Sequence, residues 1–476
     1  MLIQPLTPEI LEKRRAFRRK LLGVPGRIWR KTRRGILWTL AIAFVAHSAL
    51  NIYASALLNR ELAAIRQKGE PLQFAEMAPP ALPDSQNAAL VYKQAAKSLR
   101  LSPAQKTAFN TRERSRTPEQ QKTIEAALRK NQKALDLTRR AAAMPQCRFP
   151  LNYQTDNPVT LLFPHYGEVR ELARLLAAQA KLESKNRNVT AALGDVRALF
   201  GMSHHLSNEF TLIGFLVAQS LDATAHQTLA QALESGPLTS SQAREFQISL
   251  PATDWSRSFQ KCLLGDRAFG LSIFDRLTRL TITSEDLSLL GGSPPFLWNS
   301  YPLLFLWRPM LKLDEVQYLR LWKPQIAATL APQISTRSQT MQAGDRAVEN
   351  LPSYAAMSRT LYPVFSSASI FRDAAEVRRR QREIALVLAV YRTANGHYPA
   401  QLAGITDLAG KALPLDPYSQ KPFVYRREGE SFVLYSVSLN QADDGGENSG
   451  LSPSNTVQDD LLWSNPFKGS FRLATP

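Results

Sequence analysis

Apolar residues follow two patterns along this chain. The first is one unbroken run. Residues 35–58 carry no charged side chain and include Ile36, Leu37, Trp38, Leu40, Ile42, Phe44, Val45, Leu50, Ile52 and Tyr53. About 20 apolar residues cross the hydrocarbon core of a bilayer as a helix. A transmembrane helix is therefore expected over 35–58. Its helical pattern continues through residue 65 to Gly69, a C-terminal stop, with Pro71 just beyond.

The second pattern is a series of short blocks at helical spacing, beginning after a Pro-rich linker near 70–85. Thr117-Pro118-Glu119-Gln120 is a helix start. Thr117 can cap, Pro118 suits the first helical position, and Gln120 can close a capping box. Ile124, Leu128, Leu135 and Leu137 then recur at near-helical intervals. Residues 167–235 predict three consecutive helices. Val169, Leu172, Leu175, Leu176 and Leu182 line the first, and Leu193, Val196, Leu199 and Phe200 the second. Leu212, Ile213, Leu216, Val217, Leu221, Leu229 and Leu233 line the third. Gly236-Pro237 ends it, and Thr239 with Gln242 caps another. Short connections imply antiparallel neighbours. A tetratricopeptide-type solenoid and an irregular all-α domain both fit, although no 34-residue period is visible. A second boundary falls near 283–305, with Gly291-Gly292-Ser293-Pro294-Pro295. The apolar stretch 296–313 is interrupted by Asn299, Pro302, Arg308 and Pro309. It is expected to bury against helices rather than to span a membrane.

The tail changes period. A helix ends at Asn395-Gly396-His397-Tyr398-Pro399, and Leu413-Pro414-Leu415-Asp416-Pro417 makes a turn. Strands are expected at 423–427 and 432–437, before an acidic, Gly-rich loop over 440–450. The expected fold is mainly α. A basic segment (1–34) and a membrane helix (35–58) precede a large helical-hairpin domain (59–364) and a small α+β domain (365–476).

Charge sharpens the placement of the ends. The chain of 476 residues has a net charge of +19. Eleven Lys/Arg and two Glu lie in residues 1–34, whereas 365–476 balance at twelve of each sign. Basic flanks stay on the cytoplasmic side of a membrane helix. The amino terminus is thus expected inside and the rest outside, a single-pass protein of a bacterial inner membrane with its domains in the periplasm. Binding of anionic lipid headgroups is the simplest use of the basic segment. Its two aromatics, Phe17 and Trp29, are too scattered for a nucleic-acid stacking platform, so no nucleic-acid partner is expected. The competing reading is a cleaved signal peptide, because Ala54-Ser55-Ala56 fits the small-residue rule for cleavage after Ala56. An n-region of 34 residues is long for that, and the retained anchor is preferred.

Chemistry is sparse. There is no H-E-x-x-H, G-x-S-x-G, P-loop or C-x-x-C motif. His204 and His205 are adjacent on a helix and face about 100° apart, which opposes joint chelation. Cys147 and Cys262 could pair in an oxidising compartment or serve as small buried apolar groups. One constellation suggests a ligand. Asn440, Asp443, Asp444, Glu447, Asn448, Asp459 and Asp460 crowd together with no Lys or Arg among them, and Gly445, Gly446 and Gly450 let the backbone bend. Calcium takes six to eight oxygens in a flexible loop. The alternatives are a calcium site and a solvated acidic loop.

Five separated tail elements occur in a familiar order: residues 384–399, Asp416-Pro417-Tyr418, Tyr425-Arg426, Tyr435-Ser436-Val437, and Asp459-Asp460-Leu461-Leu462-Trp463. Together they resemble the carboxy-terminal domain of the major type II secretion pseudopilin. The resemblance covers about 372–463 and implies a helix on a small antiparallel sheet with a calcium-binding terminal loop. The sequence departs from that family in three ways. Gly35 is not followed by the glutamate of a prepilin cleavage site, the tail lies far from the membrane helix, and Asn440 stands where the family has aspartate. Assembly as a pilus subunit is therefore not expected. The whole layout, with Cys147-Arg148-Phe149-Pro150-Leu151 and Glu209-Phe210-Thr211-Leu212-Ile213-Gly214, resembles membrane-anchored envelope proteins of planctomycete- and verrucomicrobia-type bacteria. That resemblance implies the layout and no activity.

Three functional readings follow. The first is a non-enzymatic envelope protein whose body and tail bind protein partners, linked to secretion or a pilus-like assembly. The second is a calcium-stabilised structural or sensor module. The third is a periplasmic enzyme with an unfamiliar site.

Overall fold

The computed structural model describes Glu12 and residues 26–111, 113–290, 301–446 and 460–463. These are mainly helical, with a small three-stranded sheet near the carboxy terminus and one apolar helix near the amino terminus. That apolar helix is α1 (Gly26–Gln67). It is followed by α2 (Ala88–Ser98), α3 (Pro103–Asn110), α4 (Pro118–Lys130) and α5 (Gln132–Ala142). Next come α6 (Pro164–Lys185), α7 (Val189–Ser207), α8 (Leu212–Ser235), α9 (Ser240–Ser249) and α10 (Trp255–Thr278). The remaining helices are α11 (Ser284–Leu289), α12 (Tyr301–Ala328), α13 (Ile334–Glu349), α14 (Ala356–Leu361) and α15 (Phe365–Asn395).

Local chemistry sets many of these ends. Capping boxes formed by Ser102 with Gln105, Thr117 with Gln120 and Thr239 with Gln242 satisfy backbone amides that a helix start leaves open. Gly69 and Gly396 take φ of +67° and +76° just past α1 and α15, a conformation that only glycine adopts without strain.

The three helices expected over 167–235 are α6, α7 and α8, and they pack on one another. Helix α8 is also covered by α15 from much later in the chain. An array in which each hairpin touches only its neighbours is thus not the arrangement seen. Strands β1 (Val424–Glu428), β2 (Ser431–Ser436) and β3 (Leu461–Leu462) form an antiparallel sheet in that order, with Tyr425 opposite Leu434 and Tyr435 opposite Leu462.

Among the described residues the core is continuous across position 364/365. One buried cluster runs from Ala88 in α2 to Trp463 beyond β3. In α15 the consecutive residues Ile384, Ala385, Leu386, Val387, Leu388 and Ala389 are all buried. A helix that is apolar all round is an interior helix. It is covered on one side by the body and on another by the sheet, where Gln381 Nε2 donates to the Leu461 carbonyl at 2.7 Å. A smaller cluster of Phe74, Met77, Tyr153, Phe210 and Ala268 closes the region near the end of α1.

Candidate functional site

The acidic loop is built on the end of β2. Ser438, Gln441, Gly445 and Gly446 all have positive φ, which coils the backbone tightly. Of the six residues expected to ligate a metal, Asn440, Asp443, Asp444 and Asp460 are described and are brought together. Asn448 and Asp459, with Glu447, lie outside the described residues. Asp460 is fully buried, and its Oδ2 accepts from the amides of Asp444 (3.1 Å) and Gly446 (2.8 Å). Its Oδ1 is buried with no hydrogen-bond partner among the described residues. Burial, reinforced by the charges of Asp444 and Asp443, pushes the Asp460 carboxyl up to about 6. Asp443 Oδ1 accepts from the Tyr435 hydroxyl (2.7 Å) and the Gly445 amide (2.9 Å), and the Tyr435 bond foremost holds that carboxyl below its usual range. Asn440 Nδ2 donates to Asp444 Oδ2 at 2.8 Å.

A cation fits this loop only in part. An orphaned buried carboxylate oxygen beside two further carboxylates is what a cation would relieve. Asp443 Oδ1 and Asp444 Oδ2 are engaged by donors, however, and no three His, Cys, Asp or Glu side chains among the described residues converge as a metal site.

The cysteines are both free, Cys262 buried and Cys147 half-buried. Burial pushes both thiols up, which makes them poor nucleophiles. His204 and His205 point to separate partners, as their spacing requires. His204 Nδ1 lies 3.0 Å from Thr253 Oγ1. His205 Nε2 donates to the Met144 carbonyl, and its Nδ1 accepts from the Tyr92 hydroxyl, each at 2.9 Å. Burial draws His205 down to about 4, so the ring is neutral at pH 7.

Two buried polar groupings were not anticipated. In the first, Arg378 of α15 donates from Nε to Asp222 Oδ2 (2.9 Å) and from Nη2 to Gln219 Oε1 (2.8 Å). His226, one turn after Asp222, packs edge-on against Phe200 and Trp463. A polar pair at i, i+4 inside the apolar α8 is the signal that could have found it. In the second, His165 Nε2 sits 3.8 Å from Glu209 Oε2, and the Tyr166 hydroxyl bridges Glu209 (3.2 Å) and Thr211 (2.9 Å). Phe149 stacks on His165 with ring centroids 4.2 Å apart. The segments 147–151 and 209–214, distant in sequence, thus meet in one interior cluster.

A cleft of about 950 Å³ opens between α5, α7 and residues 249–252. Asp195 on its wall is held by a two-point bond from Arg139, at 2.6 and 3.2 Å. This pairing occupies the carboxylate, and His204 and His205 also line the cleft. Comparison with protein-family models, curated proteins and solved structures finds no match to this chain.

Proposed function

We propose that this chain is a membrane-anchored, non-enzymatic envelope protein whose helical body and tail bind protein partners outside the inner membrane. The observation that carries the reading is the continuity of α1 with the body. Its first half exposes Ile36, Leu37, Trp38, Leu40, Ile42, Phe44 and Val45, a surface suited to lipid. Its second half is docked. Ala54 is fully buried, and Leu58, Leu62 and Ile65 pack on the core.

Lys312 Nζ of α12 donates to Asn51 Oδ1 (2.9 Å) and Ser55 Oγ (2.8 Å). Cleavage after Ala56 would remove both acceptors together with Ala54. Such contacts favour a retained anchor over a cleaved signal. The basic flank argues for a cytoplasmic amino terminus. A helix that runs unbroken from the span into the core would present the body in a fixed orientation, suited to a stationary binding platform. The link to secretion rests on the pseudopilin resemblance of the tail.

The decisive measurement is the mass and fractionation of the native protein. An intact amino terminus in carbonate-resistant membranes, with a carboxy-terminal reporter active only in the periplasm, is the expected result. A soluble product beginning after Ala56 would sink the anchor. Crosslinking in intact cells followed by mass spectrometry should then return defined protein partners; recovery of none, with secretion intact after gene deletion, would remove the partner-binding part.

The orphaned Oδ1 of Asp460 favours a second, compatible reading, a tail stabilised by calcium through Asn440, Asp443, Asp444 and Asp460, together with Asn448 and Asp459. A ligand that binds only the native state raises its melting temperature. Absence of a shift at millimolar calcium would exclude it.

A further inference from the structure

We infer that the amino-terminal part of α12 enters the outer half of the bilayer beside α1, so that the protein meets lipid through one spanning helix and one partly embedded helix. This inference rests on α1 being a membrane anchor.

The register of the two helices carries the argument. Lys312 bonds Asn51 and Ser55, and Arg320 Nε bonds Glu61 Oε1 at 3.0 Å. Residue numbers rise together along both helices, so α1 and α12 run parallel. Twenty residues of helix at 1.5 Å each cover the roughly 30 Å of hydrocarbon. Counted from Arg34, the last basic residue before the span, that distance ends near Ala54. Lys312 therefore stands at the outer boundary of the hydrocarbon, where its ammonium has polar partners. Everything in α12 before Lys312 points back towards the membrane. By the same rise, Trp307 lies about 7 Å deeper than Lys312.

The residues at that depth suit lipid. Over 301–311 the only charged side chain is Arg308. Its guanidinium reaches back to the Thr278 carbonyl at the end of α10, at 3.4 Å, which draws the charge towards the body. Leu306 and Trp307 are 57% and 40% exposed, beside a helix whose own exposed face is apolar. Other exposed apolar residues, such as Ile248 and Leu330, sit singly elsewhere, as is ordinary for a protein surface. Amphipathic segments that lie in the interface bury about 5–10 Å into the headgroup and acyl boundary, and Trp is enriched there. From Lys312 onward α12 carries Asp314 and Glu315 and joins the core, with Trp322 fully buried, so it is not a second span.

The test uses the full chain in bilayer discs of phosphatidylethanolamine and phosphatidylglycerol. In a Cys147→Ser, Cys262→Ala background, nitroxide labels are placed at Phe44→Cys, Leu306→Cys and Ile248→Cys. Collision with lipid-soluble oxygen and with a water-soluble nickel chelate is then compared. The inference expects 44 and 306 to favour oxygen and 248 to favour nickel. If 44 favours oxygen while 306 behaves like 248, or is shielded from both reagents by protein, the inference is overturned and the anchor stands. If 44 itself favours nickel, the anchor reading fails and the inference falls with it. Quenching by brominated lipid, read as the difference between the native-cysteine protein and its Trp307→Phe variant, gives an answer independent of the cysteine background. Loss of the Trp307 share of quenching is expected, and an unchanged signal would overturn the inference.

Discussion

The guanidinium of Arg378 in α15 and the carboxylate of Asp222 in α8 meet at 2.9 Å inside the core, each almost wholly shielded from water. The pair joins the tail helix to the middle of the body. Removing one partner strands the other charge in a medium that cannot solvate it, a loss of about 3–5 kcal/mol. Arg378→Ala or Asp222→Ala should each lower stability by that order in chemical denaturation. A double variant, Arg378→Met with Asp222→Leu, should recover much of the loss. Equal stability of the single variants and the parent would show that the pair is not buried in solution.

Acid should act on the same network. Burial opposes the charge on Asp222, but His226 and Arg378 outweigh it and hold the carboxyl down at about 2. A carboxyl lowered by folding contributes stability that is complete above its unfolded value near 4 and is lost as pH falls towards 2. His205, lowered by burial to about 4, is neutral in the fold. Its contribution is complete above about 6.5 and declines as pH falls towards 4. These two contributions should thus be lost in separate windows on acidification. His205→Gln should reduce the loss of melting temperature between about pH 6.5 and 4, relative to the parent, and leave the loss below about pH 4 unchanged.

Asp460 has the opposite sign. Raised to about 6 by burial and its acidic neighbours, it favours the fold most below about 4, and this support is lost as pH rises through 6. Asp460→Asn should abolish that dependence and, with it, any calcium-induced melting shift. A calcium shift that survives the substitution would place the ion elsewhere.

Close approaches of a helix to backbone carbonyls make a further prediction. A Cβ on Gly265 would collide with the backbone carbonyl of Phe210, and one on Gly201 with that of Ala142. Backbone cannot swing aside as a side-chain tip can, so Gly265→Ala and Gly201→Ala should each cost about 1–3 kcal/mol. Gly194, also inside α7, has open space at its Cβ. There Ala should stabilise, by up to about 1 kcal/mol, through helix propensity. Parallel denaturation curves of the three variants check the contrast.

Several elements were legible in the sequence because their causes are local. The apolar run made α1 visible, and its extension to Gly69 followed from continued helical spacing. Thr117 with Gln120, and Thr239 with Gln242, announced two helix starts through side chains three residues apart. The strands expected at 423–427 and 432–437 fall within a residue of β1 and β2 at each end. Asn440, Asp443, Asp444 and Asp460 were legible as a cluster by composition, and the loop does bring these four together.

What the sequence determined by itself was therefore local order, a single apolar helix, and the grouping of acids in the tail. Tertiary structure alone decided how these parts join. It placed α15 inside the core against α8, through Arg378 and Asp222, and carried Trp463 to His226. It also paired Lys312 with Asn51 and Ser55, and brought Glu209 to His165. Beyond the i, i+4 spacing of Asp222 and His226 inside α8, the sequence does not mark who meets whom, because the energy that selects these pairs comes from excluding water between surfaces far apart along the chain. Spacing and capping record only what a residue does with its nearest neighbours.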